Sequence, residues 1–188
     1  CTTAVRGKNN LTDWDKRLNE IVLQAKKWNI AVICGMPNWV YLLIEKIVTH
    51  YKVETIHEIW PKLQLYVHGG VFFQPYQSDF EKLLKYPLNY AETYMASEGF
   101  FGFSTSDSKG GIQLVLDGNI FFEFIPYDNV NFDEHDCLRP NATPITIQQV
   151  KKNTNYALVI TNNAGAWRYL IGDIIQFVNT ETASIKII

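Results

Sequence analysis

The chain has 188 residues, of which 47% are hydrophobic and 14% aromatic, and its formal net charge is −2. That length bounds it to one domain or two subdomains with enough apolar material for a sizeable core. The near-balanced charge and the lack of any Lys/Arg run argue against nucleic acid as a partner. No apolar stretch reaches the ~18 residues of a membrane span; the best run, Val40 to Ile47, is broken by Glu45 and Lys46.

Cys1, Cys34 and Cys137 have no paired or ligand-like spacing, so free thiols in a reducing, cytoplasmic setting are expected. The chain begins at Cys1 with neither Met nor a leader, and ends at Ile188 within an apolar, strand-like run. It reads as an internal piece of a longer protein.

In chain order, Thr12 and Asp15 have the spacing of a capping box. Trp14, Leu18, Ile21, Val22, Ala25 and Trp28 then fall on one helical face. Ile30 to Cys34 reads as a short buried strand, punctuated by Gly35 and Pro37, with Pro suited to a first helical turn. A helix to about Tyr51 follows. Leu63 to Val67 is the next strand, ended by Gly69-Gly70; a helix from Pro75 to about Lys85 and a strand from Asn89 to Met95 complete the first half. This alternation predicts an α/β fold, a mostly parallel sheet covered by helices, with ligands at the strands' carboxyl ends.

The second half, with its boundary expected at 108/109, changes character. Gly110-Gly111 opens an apolar run from Ile112 to Leu116, and Asp117-Gly118-Asn119 separates it from Ile120 to Ile125, the pattern of a hairpin. Tyr127 to Pro144 reads as a loop and Thr146 to Val150 as a helical turn. Asn155 to Thr161, Trp167 to Ile171 and Ile174 to Val178 read as short strands. An antiparallel small barrel or curled sheet is expected over residues 109–188.

Two segments carry chemistry. Tyr94-Met95-Ala96-Ser97-Glu98-Gly99 and Trp167-Arg168-Tyr169-Leu170-Ile171-Gly172-Asp173 look like two of the three nucleotide-handling motifs of adenylate-forming enzymes. Glu98, behind a strand, offers the carboxylate oxygen that a magnesium ion wants. The Ser97 hydroxyl suits a phosphoryl oxygen. Asp173 is an acceptor-only carboxylate, matched to the two donating hydroxyls of a ribose, and Gly172 permits close backbone approach. Gly69-Gly70 would let a flat adenine lie on bare backbone. Each also has a plain structural reading: a Ser-Glu-Gly turn, a Gly-Asp turn between strands, a strand-ending Gly-Gly and, for His68, a hydrogen-bonded core histidine. Asp133, Glu134, His135, Asp136 and Cys137 are consecutive, so their side chains do not converge on a metal, and a solvated acidic loop is expected. Phe100-Phe101, Phe121-Phe122 and the tryptophans are expected mostly in the core.

Taken in order, the segments resemble the auxin-responsive acyl-acid amido synthetases, specifically their bacterial branch. Gly35-Met36-Pro37-Asn38-Trp39-Val40, Trp60-Pro61-Lys62-Leu63 leading to His68-Gly69-Gly70, Glu92 to Phe101, Phe122-Glu123-Phe124-Ile125-Pro126 and Asn155 to Ile160 are similar to that family's blocks, besides the motif at Asp173. The resemblance implies the fold of the acyl-CoA synthetase, peptide-synthetase adenylation and luciferase superfamily. It implies adenylation of a carboxylic acid by ATP with Mg2+, then transfer of the acyl group to an amino acid. Catalytic Ser97 and Glu98, with Glu98 on the metal, nucleotide-binding Gly69, Gly70, Tyr94, Ala96, Ser97 and Asp173, and acyl-pocket Trp39 and His68 are carried over by position. Leu170 departs from the family's second Arg. The phosphate loop is expected upstream of Cys1 and the mobile C-terminal domain beyond Ile188, so the chain alone is expected to have no turnover. Alternatives are a coenzyme A ligase of the same superfamily and a non-catalytic nucleotide- or acid-binding remnant.

Overall fold

A computed structural model describes residues 11–71, 73–105 and 111–188. Cys1, Gly110 and the Thr12 side chain of the expected capping box lie outside the described residues. The chain divides into two compact units, Cys1–Asn89 and Tyr90–Ile188. The division falls at 89/90, ahead of the expected 108/109, because the strand from Asn89 pairs with the one that follows it.

In the first unit, α1 (Leu11–Gln24) runs into a 3-10 turn, β1 (Val32–Cys34), α2 (Pro37–Tyr51), a second 3-10 turn, β2 (Leu65–Gly69) and α3 (Gln74–Lys82). Pro37 stands in the first turn of α2, where its missing N–H leaves nothing unsatisfied. β1 and β2 are parallel, with Ile33 opposite Tyr66. α2 packs against α1 and α3. α1 buries Leu18 and Val22 and the 3-10 turn after it Ala25, but Trp14 in α1 and Trp28 beyond the turn are exposed. β1 is not the buried strand expected: Val32 is 52% exposed. The core is Ile44, Ile47, Ile56, Leu63, Tyr66 and Phe80, with the Tyr66 and Phe80 rings stacked at 5.2 Å. Two polar groups tie it together: Trp60 Nε1–H donates to the Ala25 carbonyl at 2.9 Å, and the Tyr66 hydroxyl to the Gly35 carbonyl at 3.0 Å.

The second unit is a sheet in the order β3-β4-β5-β9-β8-β7-β6. Its strands are β3 (Asn89–Ala96), β4 (Gly99–Thr105), β5 (Ile112–Leu114), β6 (Ile120–Pro126), β7 (Asn155–Asn162), β8 (Tyr169–Asn179) and β9 (Ser184–Ile187). The pairings β3–β4, β4–β5, β5–β9, β9–β8, β8–β7 and β7–β6 are all antiparallel. β3 and β6 stand at the two ends of this order, so the unit is an unclosed sheet, the curled-sheet form of the expectation.

Three strand expectations are corrected. β5 and β6 form, but not with each other: β5 lies between β4 and β9, and β6 pairs with β7. A type I′ turn needs positive φ at both central residues; between β5 and β6 only Asn119 has it, at 62°. The two strands expected from Trp167 to Val178 are one, β8, interrupted by an irregularity. β4, not foreseen, closes a hairpin on β3.

β7 has buried side chains on both faces. Tyr156, Leu158 and Ile160 face a core with Phe101, Phe122, Phe124 and Phe177, while Ala157 and Val159 pack with Ile125 and Phe132. A central strand covered on both sides reads as a continuous apolar run, as Tyr156 to Ile160 does. Phe124 and Phe177 meet edge to face at 5.1 Å, the arrangement favoured by ring quadrupoles. The pairs expected mostly in the core are split by strand alternation: Phe101 and Phe122 are buried, Phe100 and Phe121 exposed. Of the tryptophans only Trp60 is buried.

His57 anchors the first unit's last turn. Its Nδ1 accepts from the Lys85 N–H at 3.0 Å, its Nε2 faces the Leu63 carbonyl at 3.1 Å, and its ring meets that of Tyr86 at 3.7 Å, tilted by 37°. Burial lowers the pKa of His57, and of His68 as well. The folded chain therefore refuses protons that the unfolded chain accepts near pH ~6.5. Stability is full above that pH and falls as pH drops below it. Thermal melts between pH 7.5 and 5.5 should show a falling midpoint, with a shallower slope for His57→Gln; parallel slopes would remove His57 from this account.

Candidate functional site

The turn between β3 and β4 is Ser97-Glu98, closed by Ala96 opposite Gly99. Neither turn residue has positive φ. Such a turn fits the twist of its strands poorly, and the misfit is taken up at once. Met95 pairs with Phe100 and Tyr94 with Gly102, leaving Phe101 as an extra residue that enters the core. The Ser97 hydroxyl donates to Glu98 Oε2 at 3.0 Å. Ser97 is exposed and Glu98 half-buried, and a carboxylate with one bond of this kind keeps acceptor capacity for a cation.

The turn is tied down by a residue that sequence reasoning missed. Asn162, at the end of β7, is buried, and its Nδ2 donates to the Glu98 carbonyl at 2.8 Å. Its Oδ1 accepts from the Ala164 and Ala166 N–H groups at 3.0 and 3.1 Å. One amide thus fixes both the Ser97-Glu98 turn and the loop that leads into β8. Nothing in the sequence distinguishes Asn162 from Asn163 beside it.

Asp173 owes its place to the irregularity in β8. Val159 pairs with Leu170 and Ala157 with Ile174, so Ile171, Gly172 and Asp173 together oppose Leu158. Gly172 turns this bulge with a φ of 97°, and open space surrounds the position of its missing Cβ. The glycine therefore serves backbone conformation, not a close approach within the chain. A lone Gly in a strand pattern is the sequence signal of a bulge. The half-buried Asp173 carboxylate accepts, at Oδ2, a 2.6 Å hydrogen bond from the Tyr94 hydroxyl. Tyr94 is buried edge-on against Phe101, and burial together with Asp173 raises its pKa, so it stays a donor.

Among the sequence-predicted residues, the structure brings together Tyr94 with Asp173 and Ser97 with Glu98; Ala96 is exposed at the hairpin end. Arg168 and Glu123 form a bidentate pair at 3.0 and 2.8 Å that clamps the approach to β8 onto β6. Trp39, His68, Gly69 and Gly70 belong to the first unit. Gly69 ends β2 and Gly70 turns with a φ of 82°, the Met36 side chain lying 3.6 Å from where a Cβ would stand. His68 is buried beside the Tyr66 and Phe73 rings. Trp39 is exposed and meets Trp14 edge-on at 4.8 Å. In the loop beyond β6, Asp133 caps the His135 and Cys137 N–H groups, which lowers its pKa. Among the described residues no three His, Cys, Asp or Glu side chains gather as a metal cluster; magnesium, commonly held by one or two carboxylates with water and phosphates, needs none.

Residues 113–187 match the model of the GH3 family central domain. The chain is 29% identical over 157 residues to the putative indole-3-acetic acid-amido synthetase GH3.9 of Arabidopsis thaliana, which covers 78% of this chain and 24% of that one. It is 31% identical over 155 residues to the jasmonoyl–L-amino acid synthetase GH3.5 of Oryza sativa subsp. japonica, covering 76% and 24%. The chain thus spans about a quarter of the length of these curated relatives. The chain shares its fold with a solved GH3.15 acyl acid amido synthetase at a TM-score of 0.66 and 13% identity, over 96% of this chain and 40% of that one. It shares it also with a 2-hydroxyisobutyryl-CoA ligase in complex with 2-HIB-AMP and CoA, at a TM-score of 0.60 and 16% identity, over 96% and 35%. The motif at Asp173 lies inside the family-matched segment; the one at Glu98 precedes it.

Two substitutions test the scaffold. Asn162→Ala strands the Glu98 carbonyl and two N–H groups and should cost about 1–3 kcal/mol. Gly172→Ala meets no atom, so its cost of about 1–3 kcal/mol should come from backbone strain alone. Denaturant melts of either variant that overlay the wild type would contradict these assignments.

Proposed function

We propose that the chain is the nucleotide-handling centre of an ATP-dependent acyl-acid amido synthetase, which adenylates a small carboxylic acid and joins it to an amino acid. One observation carries the reading: a single unit holds Glu98 and Asp173 on two specialised backbone features, a tight hairpin turn and a glycine bulge, in a chain whose residues 113–187 match the GH3 family central domain. The bacterial branch and the cytoplasmic setting expected from sequence are part of the proposal.

In the first half-reaction a carboxylate oxygen attacks the α-phosphorus of ATP, and the bond to the bridging oxygen of pyrophosphate breaks. Asp173 accepts from the ribose hydroxyls and so places the α-phosphorus. The Ser97 hydroxyl donates to a phosphoryl oxygen, where charge builds in the transition state. Glu98 holds Mg2+, which when bound neutralises phosphate oxygens. Tyr94 and Ala96 border the nucleotide. In the second half-reaction the amino acid's nitrogen attacks the acyl carbon, AMP leaves with the electron pair of the acyl–oxygen bond, and the nitrogen loses a proton.

The coenzyme A ligase reading shares the first half-reaction, and the fold shared with a CoA ligase supports the superfamily without choosing between acceptors. A product assay on the longest natural form of the protein, with an amino acid or coenzyme A offered separately, decides. An amide with no thioester is expected; a thioester alone would transfer the protein to the other class. A binding remnant would form neither. Asp173→Ala should raise the KM for ATP at least about tenfold, the loss of a charge-assisted hydrogen bond, and an unchanged KM would contradict the ribose role.

A further inference from the structure

The Tyr94–Asp173 contact does more than join two strands. An aspartate on a bulge has two rotatable side-chain bonds and two oxygens, and nothing in its own strand decides which oxygen faces a ligand. Tyr94 decides it. Its ring is locked edge-on to Phe101 at 5.0 Å within the main core, so its hydroxyl is a fixed donor. That hydroxyl takes Asp173 Oδ2 at 2.6 Å. Of the roughly four lone-pair sites of the carboxylate it occupies one, leaving both on Oδ1 and one on Oδ2. Tyr94 also stands on β3, the strand that runs directly into Ser97-Glu98.

We infer that Tyr94 is a positioning residue for nucleotide binding: its hydroxyl orients Asp173 so that the carboxylate meets the ribose diol. The inference rests on the proposed ribose role of Asp173. It assigns to Tyr94 work done through its hydroxyl from within the core. Three residues then form one device. Gly172 bends the strand, Asp173 is carried out on the bend, and Tyr94 sets its rotamer. Such support by a rigid, packed neighbour is what a binding carboxylate needs to hold a directional geometry.

The test measures binding of AMP and of 2′,3′-dideoxy-AMP to the 188-residue chain by ligand-observed NMR. Wild type, Tyr94→Phe, Asp173→Asn and the double variant are compared, each checked for folding by circular dichroism. Wild type should prefer AMP. Tyr94→Phe should weaken AMP about tenfold while leaving the dideoxy analogue within about twofold, and the double variant should be no worse than Asp173→Asn. A purely structural tie would weaken both ligands alike or neither, and that result overturns the inference. If Asp173→Asn abolishes the preference and Tyr94→Phe keeps it, Tyr94 is not the positioner although the ribose role stands. If Asp173→Asn keeps the preference, or wild type shows none or binds no AMP at millimolar concentration, the ribose role falls and takes the inference with it. Should Tyr94→Phe fail to fold, the Tyr94 hydroxyl proton of wild type gives the answer. It should shift with AMP and not with the dideoxy analogue, and the same response to both would overturn the inference.

Discussion

The second unit depends on a mismatch between two neighbouring strands. Between Val159 and Ala157, β7 spends one residue, Leu158, where β8 spends Ile171, Gly172 and Asp173. β7 cannot adjust, because its side chains are buried on both faces and a one-residue slip would turn each to the wrong core. The excess is therefore expelled from β8 as a bulge, and only a residue free of a Cβ takes the φ of 97° at its centre without strain. Regular pairing resumes at Ile174, so Ile175 and Phe177 still reach the core. The defect leaves the core intact and turns one carboxylate toward Tyr94.

The hairpin at Ser97-Glu98 follows the same logic from the other side of the sheet. Its turn is of the kind that fits strand twist poorly, and the compensation, the extra residue Phe101, is driven into the core beside Tyr94. Both irregularities are thus paid for by packing against the same cluster. Asn162 adds a polar tie, holding the Glu98 carbonyl and the loop into β8 with a single side chain. The residues proposed to act sit on short departures from regular sheet, each anchored by a buried neighbour, which is how a rigid scaffold presents a site.

Much of this was legible in the sequence, where local rules dominate. Pro37 and Pro75 fixed helix starts, the apolar period of α1 gave its inner face, and the β-rich second half announced its antiparallel character. The two motifs pointed to Glu98 and Asp173 before any geometry was known. The errors share a cause, since strand pairing is non-local. Asp117-Gly118 looks like a hairpin turn, yet its backbone lacks the positive φ, and β5 pairs with β4 and β9 while β6 pairs with β7. Phe100 and Phe121 looked like core because hydrophobicity was read without the face each occupies. The work of Tyr94 and Asn162 was invisible because it consists of contacts 79 and 64 residues away along the chain.

In the proposed reaction Glu98 serves phosphate chemistry. ATP–pyrophosphate exchange by the longest natural form of the protein, across a panel of carboxylic acids with Glu98→Ala alongside, tests it most directly. The account predicts exchange that depends on one class of acid and is lost in Glu98→Ala. Exchange undiminished in that variant, or none with any acid from a folded protein that binds magnesium-ATP, would contradict it.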